Sequence, residues 1–399
     1  MLYWLIETQD QLKEFYSRDY KEVFIEPILF NDQIHPKLNQ LCALYIKPFN
    51  NDKGYMLCIS HDDTLSLNIQ HIDTILQDFD AIYVRDQKLL SYWFSSNSFI
   101  DISFSLNDYK APNTQTHSFF YQKYGSKYDI NKLIPIVKHY EKCELIWEQI
   151  KDKFDRAKNP YYNTLSVLFS LIEKNGIKID TELFNEHYDL LDKAFNIQDN
   201  TIYTNYNLHT TTGRPANSFN GINFAALKKS SGERKCFIPE NDCFIEYDID
   251  AYHPNLAAKL IGYDFNGENP YQYFSREAGI ELSEAKTLMF KQLYGGIFKE
   301  YKNLEFFKKI QLFTDKIWEE FNNGKYTCPG SNHVFYKDKL KDMNPPKLFN
   351  YLLQNQETYN NVIMLKEILR ELWGKETKLV LYTFDAFLFD FNKSENETI

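Results

Sequence analysis

An excess of positive charge is the first thing this chain lacks: 45 Lys and Arg stand against 55 Asp and Glu, a formal net charge of −10. A general basic coat for nucleic acid is therefore excluded, because phosphate binding leaves a cationic footprint, and any contact with DNA has to be locally basic. Paired cysteines are missing too. The six that occur (Cys42, Cys58, Cys143, Cys236, Cys243 and Cys328) are scattered, with no CxxC pair and no companion histidines at zinc spacing. Reduced, mostly buried thiols are expected from that pattern. No apolar run approaches a membrane span, and the N-terminal MLYWLIETQDQ has too short an apolar stretch and no basic lead-in for a signal peptide. A cytoplasmic protein without a membrane partner is expected. No internal repeat or low-complexity tract is visible.

What is present is material for cores. A chain of 399 residues with 43% hydrophobic and 17% aromatic residues is long enough for two or three domains and is not disordered. Residues 1 to about 110 read as an α/β module, with strand-like FIEPILF, LCALYIKPF, GYMLCI and DAIYV separated by turn residues. The polar NDYKAPNTQTH, residues 107–117, reads as a linker. From about 130 to 198 apolar residues recur at three-and-four spacing, in KLIPIVKHYEKCELIWEQIKDKFD and NTLSVLFSLIEKNGIKID, and Gly176 is placed to end the second helix. Strands and helices alternate in the remainder. The expected division is 1–115, 116–205 and 206–399, with an α/β (α+β) fold class.

Two segments carry single carboxylates at the ends of apolar strands. KLVLYTFDAFLFDF reads as a β-hairpin inside the protein, and Asp385 within it needs a partner, because a lone buried carboxylate is costly. CFIEYDIDAYHPNLAAKL leads from strand residues into Asp248, with a Pro placed to open a helix. Asp250 lies two residues on, on the same strand face if the strand continues, and is the rival to Asp248. Two strand-borne carboxylates suggest a shared divalent cation. Phosphoryl transfer to a 3′-hydroxyl uses two cations roughly 3.5 to 4 Å apart, and magnesium needs only one or two carboxylates beside substrate phosphates.

Between these segments lies ELSEAKTLMFKQLYGG, an amphipathic helix. Its Lys286, Phe290 and Tyr294 fall within a sector of about 80°, so an ammonium, a ring and a phenol face one way and make a nucleotide-binding surface. HTTTGRPANSFNGINFAALKKSSGERKCFIP is a polar loop in which Arg214 is suited to groove acceptors, followed by a basic cluster of Lys228, Lys229, Arg234 and Lys235. A second cluster, Lys299, Lys302, Lys308 and Lys309, follows the helix. In KLFNYLLQNQETYNNVIMLKEIL, Asn350 and Gln354 stand one turn apart with amides that suit the same acceptors.

Together these residues resemble the family A DNA polymerases, the group of bacterial DNA polymerase I and many phage replicases. The resemblance spans about residues 160–390. TTTGRPAN resembles the family's TxTGRxSS loop, which implies that Arg214 reads the primer minor groove. YDIDAYHPNLAAKL resembles its first catalytic motif, implying metal ligation by Asp248 and the carbonyl of Ile249, with His253 where the family has its sugar-gate glutamate. Lys286, Phe290, Tyr294 and Gly295 reproduce the family's nucleotide-binding helix, FNYLLQN its DNA-contacting helix at Asn350 and Gln354, and YTFDAF the second metal motif at Asp385. NTLSVLFSLIEKNGIKID resembles the helix entering the thumb. The fold implied is a right-hand polymerase of palm and fingers over 206–399, with a linker and reduced thumb over 116–205. Primer-template DNA and dNTPs are the implied partners, with two Mg2+ ions as cofactors, and the chain is expected to act as a monomer alongside replication accessory proteins in a phage or other mobile replicon.

Several positions depart from the family pattern. Leu282 replaces its triphosphate-binding arginine, Phe384 its histidine and Ala386 its second acid. Only about 30 residues separate IKID from TTTGR, and the chain ends fourteen residues after Asp385, where the family continues, so a C-terminally truncated sequence is expected. Residues 1–115 stand where the family carries an RNase H-like proofreading exonuclease. VFIEPI resembles its first motif with Glu26 kept and Phe24 in place of the aspartate, and Asp86 is the candidate for its second. A degenerate exonuclease-like module is expected. A single-subunit RNA polymerase, which shares the palm and the Lys to Tyr-Gly spacing, and a catalytically decayed DNA-binding homologue remain alternative functions.

Overall fold

The protein is described from a computed structural model that covers residues 4–395 except 33, 96–97, 106–130, 132–133, 158, 189, 191–196, 218–221 and 228–229. The expected linker at 107–117 lies outside the described residues. Two compact units divide the chain: Met1–His209 with Ser218–Ile238, and Thr210–Asn217 with Pro239–Ile399. Among the described residues no helix is long and apolar enough to cross a membrane.

The first unit is built on a six-stranded mixed sheet of β1 (Leu5–Ile6), β2 (Glu22–Leu29), β3 (Leu41–Pro48), β4 (Tyr55–Cys58), β5 (Ala81–Val84) and β6 (Phe99–Asp101), in the order β1-β4-β3-β2-β5-β6. The β2, β3 and β4 strands pair antiparallel, and β5 and β6 are added parallel to β2. Alternation along β2 shows why the run VFIEPIL is apolar almost throughout: Val23 and Ile25 enter one core with Leu12, Phe15, Ile72 and Leu76 of the helices Gln9–Tyr16 and Ile69–Leu76. Phe24 and Ile28 enter the core on the opposite face with Cys143, Ile146, Trp147 and Ile150 of the helix Ile136–Ile150. A strand covered on both sides has no solvent face to make polar.

The helix Pro160–Asn175 ends at Gly176, which adopts φ 68°, and a Cβ there would fall 2.5 Å from Thr201 Cγ2, so only glycine fits the turn into the strand Ile177–Ile179. Glu173, on that helix and fully buried, accepts from Lys88 Nζ at 2.6 Å, the Tyr92 hydroxyl at 2.8 Å and the Tyr206 amide at 2.6 Å. Three donors offset the cost of burying its charge.

The second unit holds an antiparallel sheet of three strands, ordered Cys243–Asp248, Ala386–Phe391, Lys378–Thr383. Helices Tyr252–Ile261, Pro270–Ala278, Leu282–Gly295, Glu305–Asn322 and Pro345–Glu371 pack together around Phe274, Met289, Leu293, Phe306, Phe307, Leu348 and Leu352. The last of these helices starts with Asn344 accepting from the Lys347 amide and prolines in its first turn, where their missing N–H costs nothing.

Candidate active site

The residues that meet at the site, from Thr210–Asn217 and Pro239 onward, belong to the second unit. Asp248 ends the strand Cys243–Asp248 directly across from Ala386, and the next amide, of Ile249, donates to the Asp385 carbonyl at 3.1 Å. The register thus brings Asp248 and Asp385, 137 positions apart in sequence, to neighbouring places at one end of the sheet. The expectation that Asp385 lies buried within the hairpin is corrected. Thr383 pairs with Ala386, so Phe384 and Asp385 form a two-residue loop at the hairpin tip and Asp385 carries exposed surface. Its carboxyl is nevertheless shifted above the usual carboxylate range, first by partial burial and then by the charges of Glu357 and Asp248. The Asp248 strand, expected from its apolar residues, forms as an edge strand and is exposed from Ile245 to Asp248. The rival carboxylate Asp250 accepts a 2.7 Å hydrogen bond from Asn269 Nδ2.

Behind the turn, a non-glycine left-handed residue, Ala251 at φ 49°, swings the chain from strand into the helix Tyr252–Ile261. This helix supplies His253, which is buried and held from both sides. Its Nε2 lies 2.9 Å from Glu357 Oε2 and its Nδ1 2.8 Å from the Tyr294 hydroxyl. Burial raises the Tyr294 phenol well above its ordinary value, so its proton stays on. On the helix Leu282–Gly295, Lys286 is exposed with Nζ 5.5 Å from the centre of the Tyr271 ring, and Phe290 lies between Tyr271 and Tyr294, at ring separations of 6.0 and 5.6 Å. Lys286, Phe290 and Tyr294 thus follow one another along the helix, linked through the Tyr271 ring.

The TTTGR loop is drawn onto the Pro345–Glu371 helix. Thr212 donates its hydroxyl to Gln354 Oε1 at 3.1 Å, and Asn355 Nδ2 donates to the Thr212 carbonyl at 3.0 Å. Gly213 has φ 72° at the bend, and a Cβ there would come within 3.1 Å of Asn355 Nδ2. Arg214 then reaches Glu357 Oε1 at 2.9 Å while its guanidinium stacks 3.6 Å from the centre of the Phe384 ring. Gln354 Nε2 donates to Asn350 Oδ1 at 3.2 Å, so both amides are half-buried neighbours on the helix.

Three groups were not anticipated. Glu357, fully buried, ties Arg214 to His253. Tyr271 packs against Phe290 and under the Lys286 ammonium, and its phenol is raised to about 12 by burial and then by the charges of Asp250, Asp385 and Asp248. Asn361 donates to the Phe384 carbonyl at 2.7 Å and the Tyr382 hydroxyl at 2.9 Å, and accepts from Tyr252 at 2.7 Å, which fixes the tip of the hairpin. Phe384 itself adopts φ 62°. Of the remaining predicted residues, Arg234 belongs to the first unit, where its exposed guanidinium donates to the Leu227 carbonyl at 2.9 and 3.1 Å. Lys228 lies outside the described residues. Among the described residues no group of three or more His, Cys, Asp or Glu is placed to hold a metal ion.

No family model matches the sequence, and no curated protein does. Solved structures do match. The fold is similar to that of the polymerase domain of Pol1 from M. smegmatis in complex with DNA primer-template and dNTP, with a TM-score of 0.68, covering 98% of this chain and 94% of that one at 10% identity. The chain is thus a mixed α/β protein with a fold like that of a polymerase domain.

Proposed function

We propose that this chain is a template-directed DNA polymerase, adding dNTPs to a primer 3′-hydroxyl by two-metal phosphoryl transfer in the replication of a phage or similar replicon. The observation that carries the reading is the meeting of Asp248 and Asp385 at one end of a three-stranded sheet, in the unit that also holds Lys286, Phe290 and Tyr294 on a single helix face. The likeness to a polymerase domain over nearly the whole chain supports it.

Magnesium fits the residues present. Two carboxylates and the carbonyl of Ile249 are hard oxygen donors of the number such an ion takes from protein, and the Asp385 carboxyl, raised first by partial burial and then by the charges of Glu357 and Asp248, is a group whose ionised form a cation would favour. When bound, the ions would activate the attacking 3′-oxygen and neutralise charge on the triphosphate and leaving group. Lys286 supplies a mobile positive charge for the triphosphate, in place of the arginine absent at Leu282. Phe290, Tyr294 and Tyr271 form an aromatic wall against sugar and base, with His253 behind Tyr294. Arg214, Asn350 and Gln354 would contact the primer-template; Lys228 and, in the first unit, Arg234 are separate candidates for phosphate contact from the sequence alone.

The N-terminal sheet, an antiparallel trio extended by the parallel strands β1, β5 and β6, is in this reading an RNase H-like exonuclease module without activity. Phe24 is buried at the first motif, Glu26 is neutralised by Arg85, and Asp86 Oδ1 accepts from the Leu89 amide at 2.8 Å as a helix cap. Primer extension in Mg2+ with dNTPs and, separately, rNTPs tests the whole. Incorporation of dNTPs supports the reading, preference for rNTPs favours an RNA polymerase, and primer-template binding without incorporation overturns it.

A further inference from the structure

Resting on the polymerase reading, we propose that Glu357 is a positioning residue for sugar selection: by setting the tautomer of His253 it directs the Tyr294 hydroxyl away from the nucleotide sugar. Glu357 lies on the Pro345–Glu371 helix, His253 on the Tyr252–Ile261 helix and Tyr294 on the Leu282–Gly295 helix, so one buried polar chain links three elements. An ionised carboxylate only accepts. Oε1 takes Arg214 Nη2 at 2.9 Å, so Oε2, 2.9 Å from His253 Nε2, requires a proton on that nitrogen. In the neutral imidazole this leaves Nδ1 as an acceptor, and the Tyr294 hydroxyl at 2.8 Å donates to it.

The consequence is a polarity fixed from one end. With both ring nitrogens committed and the Tyr294 proton pointed inward, the gate offers a ribose 2′-hydroxyl no donor, only the lone pairs of the Tyr294 oxygen, so the 2′-oxygen gives up its water donors without replacement. A deoxyribose loses nothing. The gate position, acidic in the family this sequence resembles, thus works here as a relay whose carboxylate has moved to another helix.

Glu357→Gln tests the relay. With its amide oxygen kept by Arg214, its NH2 faces His253 Nε2, which must become the acceptor; the proton moves to Nδ1, and the Tyr294 hydroxyl accepts from the ring and turns its own proton outward. Imidazole 15N shifts of wild type and variant read the tautomer directly, whether or not the protein incorporates nucleotides. Expected are an Nε2-protonated ring in the wild type, an Nδ1-protonated ring in the variant, and a fall of about tenfold in the ratio of kcat/KM for dNTP over rNTP, the size of one hydrogen bond. Adding Tyr294→Phe, which removes the freed proton, is expected to abolish the effect of Glu357→Gln on that ratio.

An unchanged tautomer overturns the proposal, and so does a changed tautomer with unchanged sugar preference. A wild type that extends no primer overturns the polymerase reading instead, while the nitrogen shifts still decide whether Glu357 governs the ring. Should Glu357→Gln fail to fold, His253→Phe breaks the relay in its middle while Arg214 still pairs with Glu357. A similar loss of sugar preference is then expected, and unchanged preference overturns the proposal.

Discussion

The amide of Ile249 donates to the carbonyl of Asp385, and this main-chain bond continues the register that sets Asp248 across from Ala386. The two carboxylates are therefore positioned by backbone, not by each other.

That independence makes single substitutions clean probes. Asp248→Ala and Asp385→Ala should keep the sheet, since neither side chain contributes to the ladder, and relief of like-charge crowding at Asp385 offsets part of any loss. Each should lower the rate of primer extension by several powers of ten, about 4 kcal/mol or more of transition-state stabilisation, and the double variant should be little worse than either single one. Extension assays beside thermal unfolding check this, and an unchanged rate for either variant removes that residue from the site.

Glu26 accepts from Arg85 Nε at 2.8 Å, and both side chains are buried. A carboxylate held in this way is part of the packing of the first unit. Glu26→Ala takes its carboxylate partner from a buried guanidinium and should cost about 3 kcal/mol in urea unfolding, whereas Glu26→Leu with Arg85→Met should recover most of it. The wild type should show no 3′ to 5′ digestion of a labelled primer. Digestion that disappears in Glu26→Ala would reverse the assignment of an inactive module.

Much of the first unit was readable because β2, β3 and β4 are long enough to show their character, with β2 apolar on both faces. The strands Leu5–Ile6 and Phe99–Asp101 were not, since two or three residues carry no period. In the second unit the helix Leu282–Gly295 announced itself through spacing. Asp385 reads as interior because composition cannot separate the tip of a hairpin from its arms; only the pairing of Thr383 with Ala386 shows where the chain turns. Glu357 does not stand out in the polar stretch QNQETYNN for another reason. Its partners, Arg214 and His253, lie 143 and 104 positions away, and no local pattern encodes that.

Asp101 gives a pH dependence of known sign. Full burial and, after it, the charge of Asp86 push its carboxyl up to about 7 from 3.8, although the Gln87 and Ser103 amides donate to it. A carboxyl raised on folding adds stability that is complete below its unfolded value and is lost as pH rises through about 7. His209, lowered to about 4 by burial, acts in the opposite direction, so the comparison should be made between wild type and Asp101→Asn, which share it. Relative to that variant, wild type should lose a few kcal/mol between pH 4 and pH 8 in urea unfolding. A difference that does not change with pH would mean that Asp101 keeps an ordinary carboxyl.

Phe384 occupies the left-handed region at φ 62°, a conformation that costs an aromatic residue about 1–3 kcal/mol and persists only where the surroundings impose it. Here Asn361 holds its carbonyl and Arg214 stacks on its ring. Phe384→Gly removes the strain and the stacking surface together, and since the cation–π contact is worth about 0.5–2 kcal/mol the two should nearly cancel in unfolding free energy. Function should respond differently. With its ring support gone, Arg214 is held only through Glu357, so the KM for primer-template should rise several-fold while kcat changes less. A large loss of stability instead would show that the ring is there for packing, and that the strain at the hairpin tip is maintained for the fold and not for the grip on the primer.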